Sequence, residues 1–374
     1  MPATPPRLAL ATLAAAALAL AIPWPPAWVE AAFASSVYPA WQRAATSATN
    51  LVPFAAFDLV LIGAVAALVA STIRAWRRAG DGRARRALAS IVAALTAVAA
   101  VYLWFLLSWG FNYQRLPVAT RLGIDRGRAT PERLAAFADE TVAELNRLHP
   151  LAHRAAWPDA PALAARLAPA FRRALPSVGA SPEVVPGRPK WSLLQPYLRW
   201  GGIDGVTNPF VPEVVLNHDL LPIEWPFTVA HEWGHLAGLA HEAEASYLGW
   251  LTCLAGDEHA QYSARLWAFA HIFTALPDER RLATSNRLGE GPRRDLRAIA
   301  ARSAQSVRFV RTLSWTAYDR YLKSNRVPEG LASYDAAIVL ILARLPEDRH
   351  TPHRQKLSQG PSAEPRTAKA LPQN

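Results

Sequence analysis

The chain is almost without sulfur: Cys253 is its one cysteine and Met1 its one methionine. A single cysteine excludes an intrachain disulfide framework and a cysteine-rich zinc site. Set in an apolar run, Cys253 reads as a buried structural thiol. Acidic residues are also scarce, 29 against 40 Lys and Arg, for a formal charge of +11. Such an excess suits nucleic acid, but no nucleic-acid-binding motif accompanies it, so none is expected as a partner. Much of the excess is Arg beside apolar segments, where it orients a chain in a bilayer. What the sequence has in quantity is apolar surface: 51% hydrophobic residues and 14 Trp, high for an ordinary soluble enzyme.

Residues 1–110 read as a membrane region. The first apolar stretch, residues 8–24 ending in Pro23 and Trp24, is short for a span. It is read as an uncleaved anchor; the alternative is a signal peptide cleaved near Ala32-Phe33-Ala34. Residues 53–73 and 87–109 are each long enough to cross a hydrocarbon core of about 30 Å at roughly 1.5 Å per residue. Asp58 is expected at the interface, and Trp24, Trp28, Trp41, Trp104 and Trp109 fall near span ends, where indole rings anchor at the headgroups. The Arg-rich residues 74–86 between the later spans belong in the cytoplasm by the positive-inside rule. The chain after Trp109 is then extracytoplasmic.

Residues 111–345 have the mixed charge and frequent Pro of a folded domain. Thr130-Pro131-Glu132 opens a helix with an N-cap, a Pro in the first turn and an early acid, running to about Leu148. A second helix covers residues 161–175. Turn residues around Gly201-Gly202 and Asn208-Pro209, with β-branched residues from Val211 to Leu216, predict a strand or hairpin. Such a strand is a candidate shelf for an extended peptide, or else a strand that only covers the core. Residues 295–323 read as one long helix with a solvated Arg face. The polar, Pro-containing residues 346–374 read as a disordered tail.

The chemistry is concentrated in His231-Glu232-Trp233-Gly234-His235. Positions i and i+4 of a helix share a face, so His231 and His235 can offer two imidazole nitrogens to one Zn2+ ion. Glu232 beside them can act as general base on a water whose pKa the metal lowers. A third ligand must come from beyond a break. On an unbroken helix Glu242 would lie about 10 Å past His235, whereas metal bonds are about 2 Å long. Gly238 permits the break, since only Gly adopts left-handed angles without penalty. His241, Glu242 and Glu244 then compete. His241 completes His-Glu-x-x-His-x-x-Gly-x-x-His, the metzincin spacing, but Met1 as sole methionine excludes the methionine turn that should accompany it. Glu242 with Ser246 instead resembles the Glu-x-x-x-Asp segment of gluzincin-type peptidases, in which the later residue supports a ligand histidine; here the shorter Ser246 stands there. Tyr262 is a candidate donor to the oxyanion of a tetrahedral intermediate, against the alternative of a helix-packing tyrosine.

Matches spread in order along the chain go beyond the metal motif. They include Val37-Tyr38-Pro39, Trp109-Gly110-Phe111-Asn112-Tyr113, Pro189-Lys190-Trp191-Ser192-Leu193, Gly205-Val206-Thr207-Asn208-Pro209-Phe210, Pro226-Phe227-Thr228-Val229-Ala230, Gln261-Tyr262-Ser263 and Tyr321-Leu322-Lys323-Ser324-Asn325-Arg326. With these the sequence resembles the bacterial membrane proteins of the domain-of-unknown-function 3810 (DUF3810) family, presumed zinc metallopeptidases. The family segment after the motif reads Glu-Asp-Glu-Ala-Asn, from which this chain departs at Ala243 and Ser246. The resemblance implies Glu242 as third ligand and a multi-pass protein of the bacterial cytoplasmic membrane. The expectation is therefore a mainly α protein: three transmembrane helices, then an extracytoplasmic α+β zincin-like domain of gluzincin type. Its expected activity is zinc-dependent hydrolysis of a peptide or protein substrate at the lipid bilayer. The alternative is a non-catalytic scaffold in which a structural zinc ties helices together.

Overall fold

The structure, a computed structural model, describes residues 7–78, 82–325 and 336–345. It is mainly helical. Helix α1 (Arg7–Ala21) ends ahead of Pro23, Pro25 and Pro26, whose missing amide hydrogens interrupt the helical ladder. Helix α2 (Pro26–Thr49) then leaves at 114° to α1, so the two together make at most one broken span. Much of α2 is bonded to later parts of the chain: Gln42 donates to the Val185 carbonyl at 2.7 Å and Thr46 to that of Pro212 at 2.8 Å.

Helices α3 (Ala56–Arg78) and α4 (Arg83–Ser108) pack against each other and are long and apolar enough to cross a membrane. Leu59, Ile62, Val65, Val69, Leu95 and Val98 are exposed, a surface suited to lipid tails rather than water. Part of the Arg-rich connection, residues 79–81, lies outside the described residues.

The start of α3 is sewn into the rest of the molecule. The Glu213 carboxylate accepts from the amides of Ala56 and Phe57 at 2.9 and 2.8 Å, satisfying two of the free donors that every helix N-terminus carries. Lys190 lies 2.8 Å from the same carboxylate, and both side chains are fully buried. Asp58, expected at a headgroup interface, is instead buried and accepts from the Ser192 hydroxyl and the Leu193 amide, both at 2.8 Å.

After α4 the chain forms α5 (Pro131–Ala152), where the Thr130 hydroxyl accepts from the Arg133 amide as an N-cap, and α6 (Ala160–Ala174). Strand β1 (Pro189–Lys190), helix α7 (Gln195–Gly201) and strands β2 (Gly205–Thr207) and β3 (Val214–Leu216) follow. The sheet has the order β1-β3-β2, with β1 parallel to β3 and β2 antiparallel to it, Thr207 opposite Val214. The apolar strand that the sequence offered as a shelf, β3, is therefore central and buried, as its β-branched residues require; β2 forms an edge.

The remaining helices are α8 (Trp225–Leu236), α9 (Glu242–Leu254), α10 (Glu258–Ala275), α11 (Asp278–Arg287), α12 (Glu290–Ser303), α13 (Arg308–Ser324) and α14 (Ala336–Arg344). The single helix expected over residues 295–323 is thus two. The chain breaks between Ser303 and Arg308, where the Val307 amide donates to the Trp200 carbonyl at 3.0 Å instead of continuing a ladder. The described residues up to Arg344 form one compact unit; the tail at 346–374 lies outside the described residues.

Candidate metal centre

Helix α8 carries His231, Glu232 and His235, ends at Leu236, and is reversed at Gly238, whose φ is +79°. A side chain at Gly238 would meet Arg115, Asn112 and Tyr38 at 2.8–3.0 Å, so both the angle and the space require glycine. The reversal sends α9 back along α8. The two backbones approach closely because a Cβ on Gly234 would stand 2.8 Å from the Ala245 Cα, and one on Gly249 3.1 Å from the His231 amide.

That approach brings a third candidate ligand into place. Glu242, first residue of α9, puts Oε2 3.2 Å from His231 Nε2 and 3.5 Å from His235 Nε2. Two atoms bound to one tetrahedral ion at about 2 Å each would stand about 3.3 Å apart. The opposite ring nitrogens are already engaged: His235 Nδ1 lies 2.8 Å from the Leu239 carbonyl oxygen and His231 Nδ1 3.1 Å from the Ser246 hydroxyl. Donation by each Nδ1–H leaves both Nε2 lone pairs aimed at the common point. Glu242 Oε2 is buried and has no hydrogen-bond partner among the described residues, a role that a bound cation would fill. These residues fit a metal of the zinc class.

Charge makes the same point. Burial opposes protonation of His235, yet the Glu242 carboxylate overcomes it and pushes the imidazole up to about 9. Burial would raise the Glu242 carboxyl, but His235 and His231 hold it well below the usual carboxylate range. The site is built around a positive charge, which a proton supplies when no metal does.

The Glu232 carboxylate, raised by burial above its ordinary range, is oriented from the sheet: the Thr207 hydroxyl lies 2.8 Å from both Glu232 Oε2 and the Glu232 carbonyl oxygen. Gly205 lets the edge strand lie on that carboxylate, since a Cβ there would meet Oε1 at 2.6 Å. Edge strand, α8, α9 and α13 enclose a cleft of about 290 Å³, lined among others by Gly205, Val206, Thr207, Trp315, Tyr318 and Tyr321.

The other candidates lie elsewhere. Glu244 is buried and accepts from the Val118 amide at 2.6 Å. His241 stands just before α9 and packs its ring on Tyr113. Tyr262 is fully buried under α12, donating to Asp295 at 2.7 Å, and does not line the cleft, so its oxyanion role is not supported. The tyrosine that does reach the site is Tyr318, which donates to Glu242 Oε1. Sequence reasoning missed it; the signal was the aromatic stripe of Trp315, Tyr318 and Tyr321 along one face of α13, passed over in favour of its arginines. Trp109, read as a headgroup anchor, is 4% exposed and donates to the His235 carbonyl at 3.4 Å.

Among known proteins, no curated protein and no solved structure matches the chain. Residues 33–342 match the model of the family described as "Protein of unknown function (DUF3810)", and the chain belongs to that family.

Proposed function

We propose that the protein is a membrane-anchored zinc metallopeptidase with a zincin-like active site of gluzincin type. The observation that carries this reading is the convergence of His231, His235 and Glu242 on one point, with the Glu232 carboxylate free of that set and facing the same cleft. A purely structural zinc site normally fills its coordination with protein ligands and keeps no carboxylate in reserve beside them.

Held by His231 Nε2, His235 Nε2 and Glu242 Oε2, Zn2+ would supply Lewis acidity that polarises a scissile carbonyl and lowers the pKa of water. The remaining work belongs to the chain. Glu232 takes a proton from the attacking water and delivers it to the leaving amine. Its burial raises its proton affinity towards that task, and Thr207 fixes the carboxylate. Among the described residues strand β2 pairs only with β3, and it borders the cleft, so its outer edge can receive an extended substrate backbone. The apolar helices α3 and α4 anchor the protein, and the Arg-rich connection between them sets the cleft on the extracytoplasmic side of the bacterial cytoplasmic membrane.

The test is Glu232→Gln in detergent-solubilised full-length protein. The variant keeps its zinc and loses hydrolysis of a peptide library about a thousandfold, the scale of a removed general base with its positioning. Equal zinc content with no cleavage by either protein would favour the scaffold.

A further inference from the structure

A second convergent donor set lies away from the cleft, where α5 ends against α12. His149, in the last turn of α5, and His153, just beyond it, stand four residues apart, as His231 and His235 do on α8. Asp295 of α12 reaches between them: its Oδ2 is 2.8 Å from His153 Nε2 and 3.8 Å from His149 Nε2. Those distances bracket the separation of about 3.3 Å between two ligands of one tetrahedral ion.

A hydrogen-bonded network without metal explains only part of this. His153 can donate to Asp295, and Tyr262 donates to the same Oδ2 at 2.7 Å. His149 Nε2 is then left over: it is buried and has no hydrogen-bond partner among the described residues. The space for its ring is built, since a Cβ on Gly291 would stand 2.4 Å from the ring. The two imidazole rings lie side by side, with centroids 4.4 Å apart. The pair sits at the C-terminal, negative end of α5, which favours a cation. Tyr262 holds the carboxylate as partners of metal ligands commonly do.

We propose that His149, His153 and Asp295 form a second divalent-cation site, distinct from the α8 centre, that ties α5 to α12. Two imidazoles and one carboxylate select a transition metal such as Zn2+, Co2+ or Ni2+ over Mg2+ or Ca2+, which prefer all-oxygen sets. His153, with its side chain 34% exposed, faces solvent, which supplies both access and the remaining ligand positions.

Equilibrium dialysis of the full-length protein in detergent against Co2+, followed by its visible absorption, tests the assignment. The wild type binds two equivalents, one for each donor set. His149→Gln with His153→Gln binds one and keeps peptide hydrolysis. His231→Gln with His235→Gln loses the other equivalent and hydrolysis. If the peptidase reading is wrong, the equivalent held by His149 and His153 is still found. Stoichiometry unchanged by the His149 and His153 substitutions overturns the proposal. Should that double variant misfold, His153→Gln alone, at a partly exposed position, weakens the second equivalent at least about tenfold; unchanged affinity overturns it equally.

Discussion

Tyr318 donates its hydroxyl to the carboxylate of Glu242, joining a helix read as a solvated surface to the residue that completes the candidate metal centre. The bond leaves Oε2 of that carboxylate for the cation and fixes the direction in which it points. Removing it should loosen the centre without removing a ligand. Tyr318→Phe is expected to lower zinc affinity about 10–100-fold, the usual scale for a partner of a metal ligand. Tyr262→Phe, by contrast, leaves affinity at this centre unchanged. Competition with a chromophoric chelator distinguishes the two.

The acidic pair on α9 separates in the same assay. Glu242→Gln abolishes high-affinity binding at the α8 centre. Glu244→Gln retains the metal but weakens the bond from the Val118 amide, costing about 1–3 kcal/mol of stability in denaturant unfolding. Equal metal loss in both variants would contradict the geometry.

Without metal, stability should follow the protons of the site. His235 carries a raised pKa of about 9, so its contribution is fully present below its unfolded value of about 6.5 and is lost as pH rises through 9. Glu242 is depressed, so its contribution is present above its unfolded value of about 4.5 and is lost as pH falls below it. Metal-free protein is therefore most stable between roughly pH 4.5 and 6.5 on account of this pair. Zinc bound at this candidate centre would displace the His235 proton, so its affinity is expected to rise with pH up to about 9. Thermal melting of metal-free and zinc-loaded protein across pH checks both slopes.

Gly234→Ala should act on the centre from behind. The added methyl meets the Ala245 backbone, so α8 and α9 must separate, and overpacking of this kind costs about 1–3 kcal/mol. Because Glu242 rides on α9, zinc affinity falls as well. Arg297→Ala, on α12 rather than on α8 or α9 and with its side chain 62% exposed, is the control and leaves zinc affinity unchanged.

Lys190→Met should be costly at a distance from any chemistry. It leaves the Glu213 carboxylate buried without its counter-ion, a loss of about 3–5 kcal/mol measurable by chemical denaturation.

What the sequence made legible was local. The spacing of His231 and His235, the glycine at 238 and the cap at Thr130 each concern a few consecutive residues whose geometry the backbone dictates, and the structure places them accordingly. What it concealed were partnerships across the chain. Glu213 caps a helix that begins 157 positions earlier, and Tyr318 meets a carboxylate 76 positions away. No periodicity encodes such pairs, so Asp58 was read as interfacial, the arginines of α13 outweighed its tyrosines, and Tyr262 was brought to the wrong site. Of the two roles open to the strand at Val211 to Leu216, β3 takes that of covering the core, because β-branching marks a strand buried on both faces; the edge strand needs Gly205 and carries little apolar signal.

The turn at Gly238 is gripped from both sides of the apolar helices. Tyr38, before them, donates to the Leu236 carbonyl at 3.0 Å; Arg115, after them, donates to the Gly238 carbonyl at 3.0 Å and is clamped by Glu30 at 2.7 Å. A chain cut after residue 110 would strip Tyr38, Glu30 and Trp109 away together, leaving the end of α8 with bare buried acceptors at about 1–3 kcal/mol each. The anchor is thus no leash on an independent body. Shedding by proteolysis would switch the centre off rather than set it loose.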